Sequence, residues 1–271
     1  DDAHLFMKPD DIRHEILQVL ALVDKTYSTF GLEYRLELST RPEESLGSDE
    51  DWSIATEGLK GALDDWGQPY RINEGDGAFY GPKIDLHIQD ALGRSWQCGT
   101  IQLDMALPEK FSLEYVDRNG ESKRPVMIHR AIFGSVERFF GILIEHFAGR
   151  LPLWLNPSQV RILTVADRHE EYAEKVCKEI HKAGLMCEID KSNESISKKV
   201  RNAQLMQVSY MLTIGDKEIE NTSVSLRTRD NTVHGEVKLE NLITLLSREN
   251  KGRSLVSYFA KEESHEHHCC K

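Results

Sequence analysis

The order of helix and strand patterns changes near residue 150, and this change limits the possible folds more than any other feature. Before it, two hairpin patterns precede one amphipathic helix, whereas after it short apolar strands alternate with helices. Hairpins followed by a helix predict a mainly antiparallel α+β sheet, and alternation predicts a small α/β unit with a mixed sheet. At about 150 residues per domain, the 271 residues suffice for both units.

Apolar spacing in the first half separates helices from strands. Residues three or four positions apart predict helices over residues 12–27, 52–66 and 134–149. Alternation predicts a strand over residues 32–38 and two hairpins, one turning at residues 90–93 and one at Asn119 and Gly120. The second hairpin is expected to return through residues 126–129.

Two prolines around Trp154 mark a boundary between the halves. The predicted domains are therefore residues 1–153 and 154–250. Short apolar runs then predict strands at residues 160–165, 185–189, 210–214 and 223–227, with helices between and after them. Residues 251–271, which end in three His and two Cys from His265 onward, predict a disordered tail.

Composition excludes several classes of protein. The 34 basic and 45 acidic residues give a net charge of −11, which excludes a polybasic nucleic-acid or membrane binder but not a local basic groove. No apolar run approaches a membrane span, and the first residues are not a signal peptide. Five sparse cysteines predict a reducing compartment, most simply the cytoplasm. The missing initiator Met predicts an excised or processed piece.

Two polar segments are unusual for their predicted positions. The loop over residues 75–83 holds three glycines and ends in Lys83, but it lacks the spacing of a phosphate-binding loop, so a tight turn is the alternative to a binding site. Gln97 and Gln102 interrupt the apolar pattern of a strand. Buried amides need partners, so they either contact a ligand or satisfy neighbouring backbone.

Arg138 falls in the first turn of the predicted helix that follows Gly134 and Ser135. A cation there is unfavourable, because the start of a helix carries partial positive charge. An anionic ligand sharing the position accounts for it, since a guanidinium binds phosphate oxygens in a fork. The alternative is a salt bridge to a carboxylate such as that of Glu137.

At these residues the sequence resembles the threonyl-tRNA synthetases. The resemblance is carried by ordered blocks that extend over nearly the whole chain except the tail. They are Asp1-Asp-Ala-His-Leu-Phe6, Leu38-Ser-Thr-Arg-Pro42, Gly77-Ala-Phe-Tyr-Gly-Pro-Lys83, Gln97-Cys-Gly-Thr-Ile-Gln-Leu-Asp104, His129-Arg-Ala-Ile-Phe-Gly-Ser-Val-Glu-Arg-Phe139, Gly215-Asp-Lys-Glu218 and Arg227-Thr-Arg-Asp230. The resemblance implies part of a class II synthetase catalytic core with an antiparallel sheet, followed by an α/β anticodon-binding domain.

The resemblance also implies an activity. Threonine attacks the α-phosphate of Mg²⁺-bound ATP to give threonyl-adenylate, and the threonyl group then passes to tRNA(Thr). Arg138 matches the arginine on the ATP phosphates and Lys83 a cation at the reaction centre. The remaining matches are Gln97 and Thr100 for ATP, and Tyr80, Gln102 and Ser135 for threonine.

Zinc is the implied cofactor, gripping the amine and hydroxyl of threonine. His4 and His129 match two ligands, and Asp2 matches the carboxylate that accepts from the substrate hydroxyl. Such a metal rejects valine, which an apolar pocket separates from threonine by only about a hundredfold. Taken singly, each histidine is more typical of an ordinary structural role than of a metal ligand.

In the second domain the resemblance implies anticodon recognition by Asn193, Glu218 and Arg227. A carboxylate accepts from guanine N–H groups, and an arginine donates to base acceptors or stacks on them. The neighbouring Lys198, Lys199 and Arg201 either hold phosphates or form a solvated helix face. A homodimer is the family expectation.

The chain departs from the family pattern at its start. It opens after the place where the second class motif ends, so the first motif, the ATP-binding arginine of the second and the zinc-binding cysteine are all expected upstream. We therefore expect this piece alone to be inactive and to hold zinc weakly. Two alternatives stay open: a catalytically dead RNA-binding or regulatory relative, and a sister prolyl or histidyl synthetase of the same class.

Overall fold

The computed structural model describes residues 1–260. They divide into a first unit, Asp1–His146, and a second that begins at Phe147. The elements of the first unit are β1 (Ala3–Met7), α1 (Ile12–Phe30), β2 (Tyr34–Ser39), α2 (Asp49–Trp66), β3 (Tyr70–Asn73), β4 (Lys83–Gln89), β5 (Ser95–Asp104), α3 (Ala106–Lys110), β6 (Tyr115–Val116), β7 (Ser122–Lys123), β8 (Val126–Ala131) and α4 (Val136–His146).

A six-stranded sheet in the order β1-β8-β5-β4-β2-β3 forms the first unit. All its pairs are antiparallel except β2 with β3, which confirms the predicted α+β class. Helices α1 and α2 contact each other, and α1 also contacts β5. The buried face of α1 has the three-to-four spacing that the sequence predicts, at Ile12, Ile16, Val19, Leu20, Val23 and Tyr27.

The second predicted hairpin is only partly present. Strands β6 and β7 pair over two residues on each side, around the turn at Gly120. Strand β8 instead leaves the hairpin and pairs with β1 and β5. The reason is burial: Val126, Met127 and Ile128 are apolar and at most 6% exposed within the six-stranded sheet.

The elements of the second unit alternate as predicted up to the fourth strand, which is followed directly by a fifth strand that was not predicted from the sequence. They are β9 (Val160–Thr164), α5 (Glu170–Lys182), β10 (Cys187–Asp190), α6 (Ile196–Leu205), β11 (Tyr210–Ile214), α7 (Asp216–Glu220), β12 (Ser223–Thr228), β13 (Val233–Lys238) and α8 (Leu239–Lys251). The sheet order is β10-β9-β11-β12-β13. The first three strands are parallel and the last two antiparallel, so the mixed sheet is confirmed.

The predicted tail begins inside ordered structure. Helix α8 ends at Lys251, and the chain beyond it packs on the second unit. Phe259 packs against the core, and the Tyr258 N–H donates to Glu249 Oε2 at 3.1 Å. The prediction of disorder is therefore wrong for residues 251–260, because an apolar ring and a buried carboxylate anchor them. Residues 261–271, with the His and Cys of the tail, lie outside the described residues.

None of the helices within residues 1–260 has both the length and the apolar character needed to cross a bilayer. The three cysteines of this region, Cys98, Cys177 and Cys187, are free and buried.

Candidate functional site

One row of polar side chains crosses five neighbouring strands of the first sheet. In the strand register, His4 pairs with His129, His129 with Gln102, Gln102 with Lys83, and Lys83 with Ser39. Directly paired residues project to the same side of a sheet, and residues two apart along a strand do so too. We call this side the polar sheet face; it consists of His4, Ser39, Lys83, Asp85, Gln97, Thr100, Gln102, Asp104 and His129.

The alternating positions on these strands are apolar. Leu38, Ile84 and Ile101 pair with one another and are at most 1% exposed. They form the buried side of the sheet, toward which Tyr27 of α1 also projects, as the Tyr27 hydroxyl lies 2.9 Å from the position a Cβ would take on Gly99 of β5. The polar sheet face therefore lies opposite the helical layer.

A β-bulge explains why Gln97 and Thr100 share this face although they are three residues apart. The register shifts between Leu86 and His87, so Thr100 pairs with Asp85 while Gln97 pairs with His87. The extra residue of β5 restores the alternation on each side of the bulge.

Asp85 is the centre of the contacts on the polar sheet face. It is 2% exposed and accepts from the Gln97 amide, from Thr100 Oγ1 at 3.2 Å and from Ser39 Oγ at 2.9 Å. Lys83 Nζ lies 2.9 Å from Asp85 Oδ2, the oxygen that also accepts from Ser39. Gln97 is exposed, and its amide has a protein partner in Asp85. The same carboxylate holds Lys83 in place on the face.

The glycine-rich loop brings backbone close to backbone. A Cβ on Gly81 would lie 1.8 Å from the Leu103 carbonyl oxygen, and one on Gly77 would lie 2.5 Å from that of Thr40. The loop places the Tyr80 hydroxyl where it donates to Gln102 Oε1. Burial and the nearby Asp104 carboxylate raise the pKa of Tyr80 above its ordinary value, so the hydroxyl keeps its proton as a donor.

The two histidines lie side by side on β1 and β8. Their ring centroids are 4.7 Å apart with the planes nearly perpendicular, and the Tyr80 ring lies 5.5 Å from that of His129. Asp2 stands two residues before His4 and is exposed. Among the residues that the structure describes, no three His, Cys, Asp or Glu side chains are grouped to hold a metal ion. The described chain thus offers a metal two imidazoles.

The start of α4 holds Arg138 at the edge of the polar sheet face. Gly134 has a φ of +66°, and a Cβ there would lie 2.4 Å from the Cys98 carbonyl oxygen, so the chain turns tightly into the helix. The Arg138 guanidinium donates to the Gln97 carbonyl oxygen at 3.2 Å and lies 5.6 Å over the Trp96 ring.

No carboxylate neutralises Arg138 within residues 1–260. Glu137 instead accepts from Ser135 Oγ at 3.0 Å. Its own backbone N–H and that hydroxyl hold the pKa of the Glu137 carboxyl below its ordinary value. The start of α4 thus stabilises the negative charge of Glu137, and it would stabilise the charge of a bound anion in the same way. The salt-bridge alternative for Arg138 is therefore not supported, and the guanidinium stays available to an anionic ligand.

The second unit brings two of the three anticodon candidates to one edge. Parallel strands β10, β9 and β11 end at the same side, where Asn193 follows β10 and Glu218 lies in α7 after β11. The Glu218 carboxylate accepts from the Gly215 N–H at 2.9 Å. Arg227 pairs with Met211 near the start of β11, toward the opposite ends of these strands.

Lys199 has a different role from both predicted ones. It is 3% exposed, and its ammonium donates to the carbonyl oxygens of Thr164 and Asp190, each at 3.0 Å. Both the phosphate-holding and the solvated-face interpretations are wrong for this residue. Lys198 is on the exposed surface, 2.7 Å from Glu194, and Arg201 is also exposed.

Sequence reasoning missed Asp85 and Asp104. A signal for both was present, because polar residues occupy every second position from Lys83 to His87 and from Thr100 to Asp104. Such alternation marks a strand with one polar side.

Two family models match the chain over these units. One is described as "tRNA synthetase class II core domain (G, H, P, S and T)" and matches residues 1–147. The other is described as "Anticodon binding domain" and matches residues 159–249. The first covers more than half of the chain and coincides with the antiparallel sheet and its polar face. The chain belongs to the class II aminoacyl-tRNA synthetase family.

Within that class its similarity is to threonyl-tRNA synthetases. The chain is 64% identical to the threonine–tRNA ligase of Protochlamydia amoebophila (strain UWE25) over 97% of its length, and 54% identical to that of Clostridioides difficile (strain 630) over 94%. A crystal structure of the RNA binding domain of threonyl-tRNA synthetase from Cryptosporidium parvum Iowa II matches 96% of the chain, with 42% identity and a TM-score of 0.87.

The chain spans only part of these proteins. It covers 41% of the Protochlamydia ligase, 40% of the Clostridioides ligase and 65% of the Cryptosporidium structure.

Proposed function

We propose that the protein carrying this chain activates L-threonine with ATP and transfers it to tRNA(Thr). The observation that carries the proposal is the polar sheet face, which ends at an unneutralised arginine on one side and at two adjacent imidazoles on the other. From Gln97 to Asp104 this face extends roughly 20 Å along β5. That length accommodates a nucleotide and an amino acid end to end.

The proposed first step is displacement at phosphorus. A carboxylate oxygen of threonine bonds to the α-phosphorus of ATP, the bond from that phosphorus to the bridging oxygen breaks, and pyrophosphate leaves with Mg²⁺. Arg138 stabilises the negative charge that builds on the leaving group. Lys83, held against Asp85, supplies a second cation at the reaction centre. Gln97 and Thr100, tethered to the same carboxylate, border the ATP side.

The second step transfers the threonyl group. A terminal ribose hydroxyl of the tRNA bonds to the carbonyl carbon of the adenylate, and AMP leaves with the bonding electrons. Tyr80 and Gln102, which are hydrogen-bonded to each other, border the threonine side. Ser135, the third residue proposed for threonine, lies at the start of α4, where its hydroxyl accepts from the Arg138 N–H.

Zinc is the proposed cofactor for selecting threonine. His4 and His129 are imidazoles on adjacent strands, a donor type that Zn²⁺ prefers. Bound zinc would act as a Lewis acid toward the substrate amine and hydroxyl, and Asp2 would accept from that hydroxyl. Valine has no hydroxyl to offer, so the site would reject it.

The second unit is proposed to bind the tRNA anticodon through Asn193, Glu218 and Arg227. The protein is further proposed to act as a homodimer. The free thiols of Cys98, Cys177 and Cys187 support a reducing compartment, and we propose the cytoplasm.

The deciding experiment is ATP–pyrophosphate exchange by the protein that carries this chain. We expect exchange that depends on threonine, is weaker with serine and is absent with valine. Exchange driven by proline or histidine would identify a sister synthetase. Binding of tRNA(Thr) without any exchange would identify a catalytically dead relative. The 271-residue chain alone is expected to show no exchange.

A further inference from the structure

A buried carboxylate next to His129 has no role in the proposed reaction. Asp104, at the end of β5, is 0% exposed. Its Oδ1 accepts from the backbone N–H groups of Ala106 and Leu107, both at 2.9 Å, where α3 begins. Its Oδ2 lies 2.8 Å from His129 Nε2. Both oxygens of the carboxylate are therefore hydrogen-bonded, and the backbone N–H groups at the start of α3 fix its position.

These contacts select one form of the imidazole ring. An ionised carboxylate has only acceptors, so the nitrogen that faces it must carry a proton. Neutral His129 then has its proton on Nε2 and its lone pair on Nδ1. Within residues 1–260, Nδ1 of His129 and both ring nitrogens of His4 have no hydrogen-bond partner. The free lone pair thus belongs to the ring that lies 4.7 Å from His4.

We propose that Asp104 is a positioning residue that holds His129 in the Nε2–H tautomer and so presents Nδ1 as the metal-binding nitrogen. The inference rests on the proposed zinc site. A carboxylate on the far nitrogen of a metal-bound imidazole fixes the ring and raises its basicity. The geometry therefore assigns His129 to coordinate through Nδ1.

The substitution Asp104→Asn tests this directly. The asparagine Oδ1 still accepts from the Ala106 and Leu107 N–H groups, so the start of α3 is retained. Its amide, however, donates to Nε2, which forces the ring proton onto Nδ1 and blocks the metal-binding lone pair.

The first measurement is nitrogen NMR of the metal-free 271-residue chain, with ¹⁵N-labelled histidine, at pH 8. We expect His129 to carry its proton on Nε2 in the wild type and on Nδ1 in D104N. A wild-type proton on Nδ1 would overturn the proposal. If D104N does not fold, the wild-type spectrum still decides, because it reports the tautomer without any substitution.

The second measurement is the Zn²⁺ affinity of the protein that carries this chain, by competition with a chelator. We expect D104N to bind roughly 10- to 100-fold more weakly. The matched control is Asp117→Asn, because the Asp117 carboxylate also accepts from two backbone N–H groups but has no imidazole partner. Equal affinity of D104N and the wild type would contradict the assignment. If the tautomer and the zinc affinities come out as expected but the wild type shows no threonine-dependent exchange, the proposed function is wrong and the role of Asp104 stands.

Discussion

At the scale of single residues, Arg138 is the strongest indication of an anionic ligand, because its position at the start of a helix is electrostatically unfavourable. Its guanidinium lies in the first turn of α4, contacts a carbonyl oxygen and an indole ring, and has no ion pair within residues 1–260. The partial positive charge at the start of the helix repels the guanidinium. A bound polyphosphate would stabilise both the guanidinium and the helix start.

We expect Arg138→Ala to lower threonine-dependent pyrophosphate exchange by about 100- to 1,000-fold, since one charge-stabilising donor is lost. Thermal stability should hardly change, because the side chain is exposed. The measurement is exchange kinetics with a parallel thermal melt. Arg118→Ala, on an exposed loop of the same unit, is the control and should keep full activity. An R138A variant with the exchange rate of R118A would exclude the phosphate role.

Arg138 was found from the sequence, whereas alternation could place Asp85 and Asp104 on a polar strand side but could not give their partners. The difference is one of distance along the chain. Arg138 is unusual because of its local helix, which periodicity shows. Asp85 and Asp104 acquire their roles from Ser39 and His129, which are 46 and 25 residues away. Only the pairing of strands brings those groups together.

At the scale of elements, two glycines with opposite surroundings test the packing. Gly141 lies in α4, is exposed and has open space at its Cβ position. Gly81 faces the Leu103 carbonyl oxygen. We expect Gly141→Ala to stabilise the protein by about 0.5–1 kcal/mol, because alanine loses less backbone entropy than glycine. Gly81→Ala should destabilise it by roughly 1–3 kcal/mol through overpacking. Urea unfolding measures the change in the free energy of unfolding for each variant. Changes of the same sign in the two variants would contradict the described backbone.

The hairpin of β4 and β5 depends on the charge of Asp90. This carboxylate accepts from Trp96 Nε1 at 2.9 Å, from the backbone N–H groups of Arg94 and Leu92, and from the Arg94 guanidinium. These donors, the indole first, hold the pKa of Asp90 well below its ordinary value.

A carboxyl with a lowered folded pKa contributes stability above its unfolded pKa, which is about 3.9, and loses it as the pH falls through the folded value. The wild type should therefore be more stable than Asp90→Asn at pH 7, and the gap should close progressively below about pH 4. Urea unfolding between pH 7 and pH 2 measures it. A stability difference between the wild type and Asp90→Asn that stays constant from pH 7 to pH 2 would contradict a role for the Asp90 charge.

Elements were predictable where period and turn residues agree, as for α1, α2 and the β4–β5 hairpin. Strands β1 and β3 were not found, because each is at most five residues long and lies at an edge of the sheet. Strand β8 was found but assigned to the wrong partner. The turn at Gly120 is a local signal that favours a hairpin, whereas the pairing of β8 with β1 joins segments more than 100 residues apart, which no local signal shows.

At the scale of the whole molecule, the net charge of −11 opposes nucleic-acid binding. The proposed binding of an anticodon loop would then depend on a few placed cations and on contacts to bases. The two kinds of contact differ in their response to salt, because only phosphate contacts release counterions.

We expect Arg227→Ala to weaken binding of a tRNA(Thr) anticodon stem-loop to the 271-residue chain by about 1–3 kcal/mol without changing the salt dependence. Arg201→Ala should instead lower the slope of log K against log salt concentration by about 0.7. Fluorescence titrations at several salt concentrations separate the two. Identical slopes and affinities for both variants and the wild type would exclude the proposed anticodon surface.

The paired row from His4 to Ser39 has a consequence for how this protein tolerates change. Inserting or deleting one residue inside one of the five strands, unless a β-bulge absorbs it as in β5, would turn that strand's polar side chain toward the helical layer. Lengthening a connecting loop has no such effect. New specificities are therefore accessible through the connections around the sheet, while the strand lengths themselves are fixed by the chemistry they align.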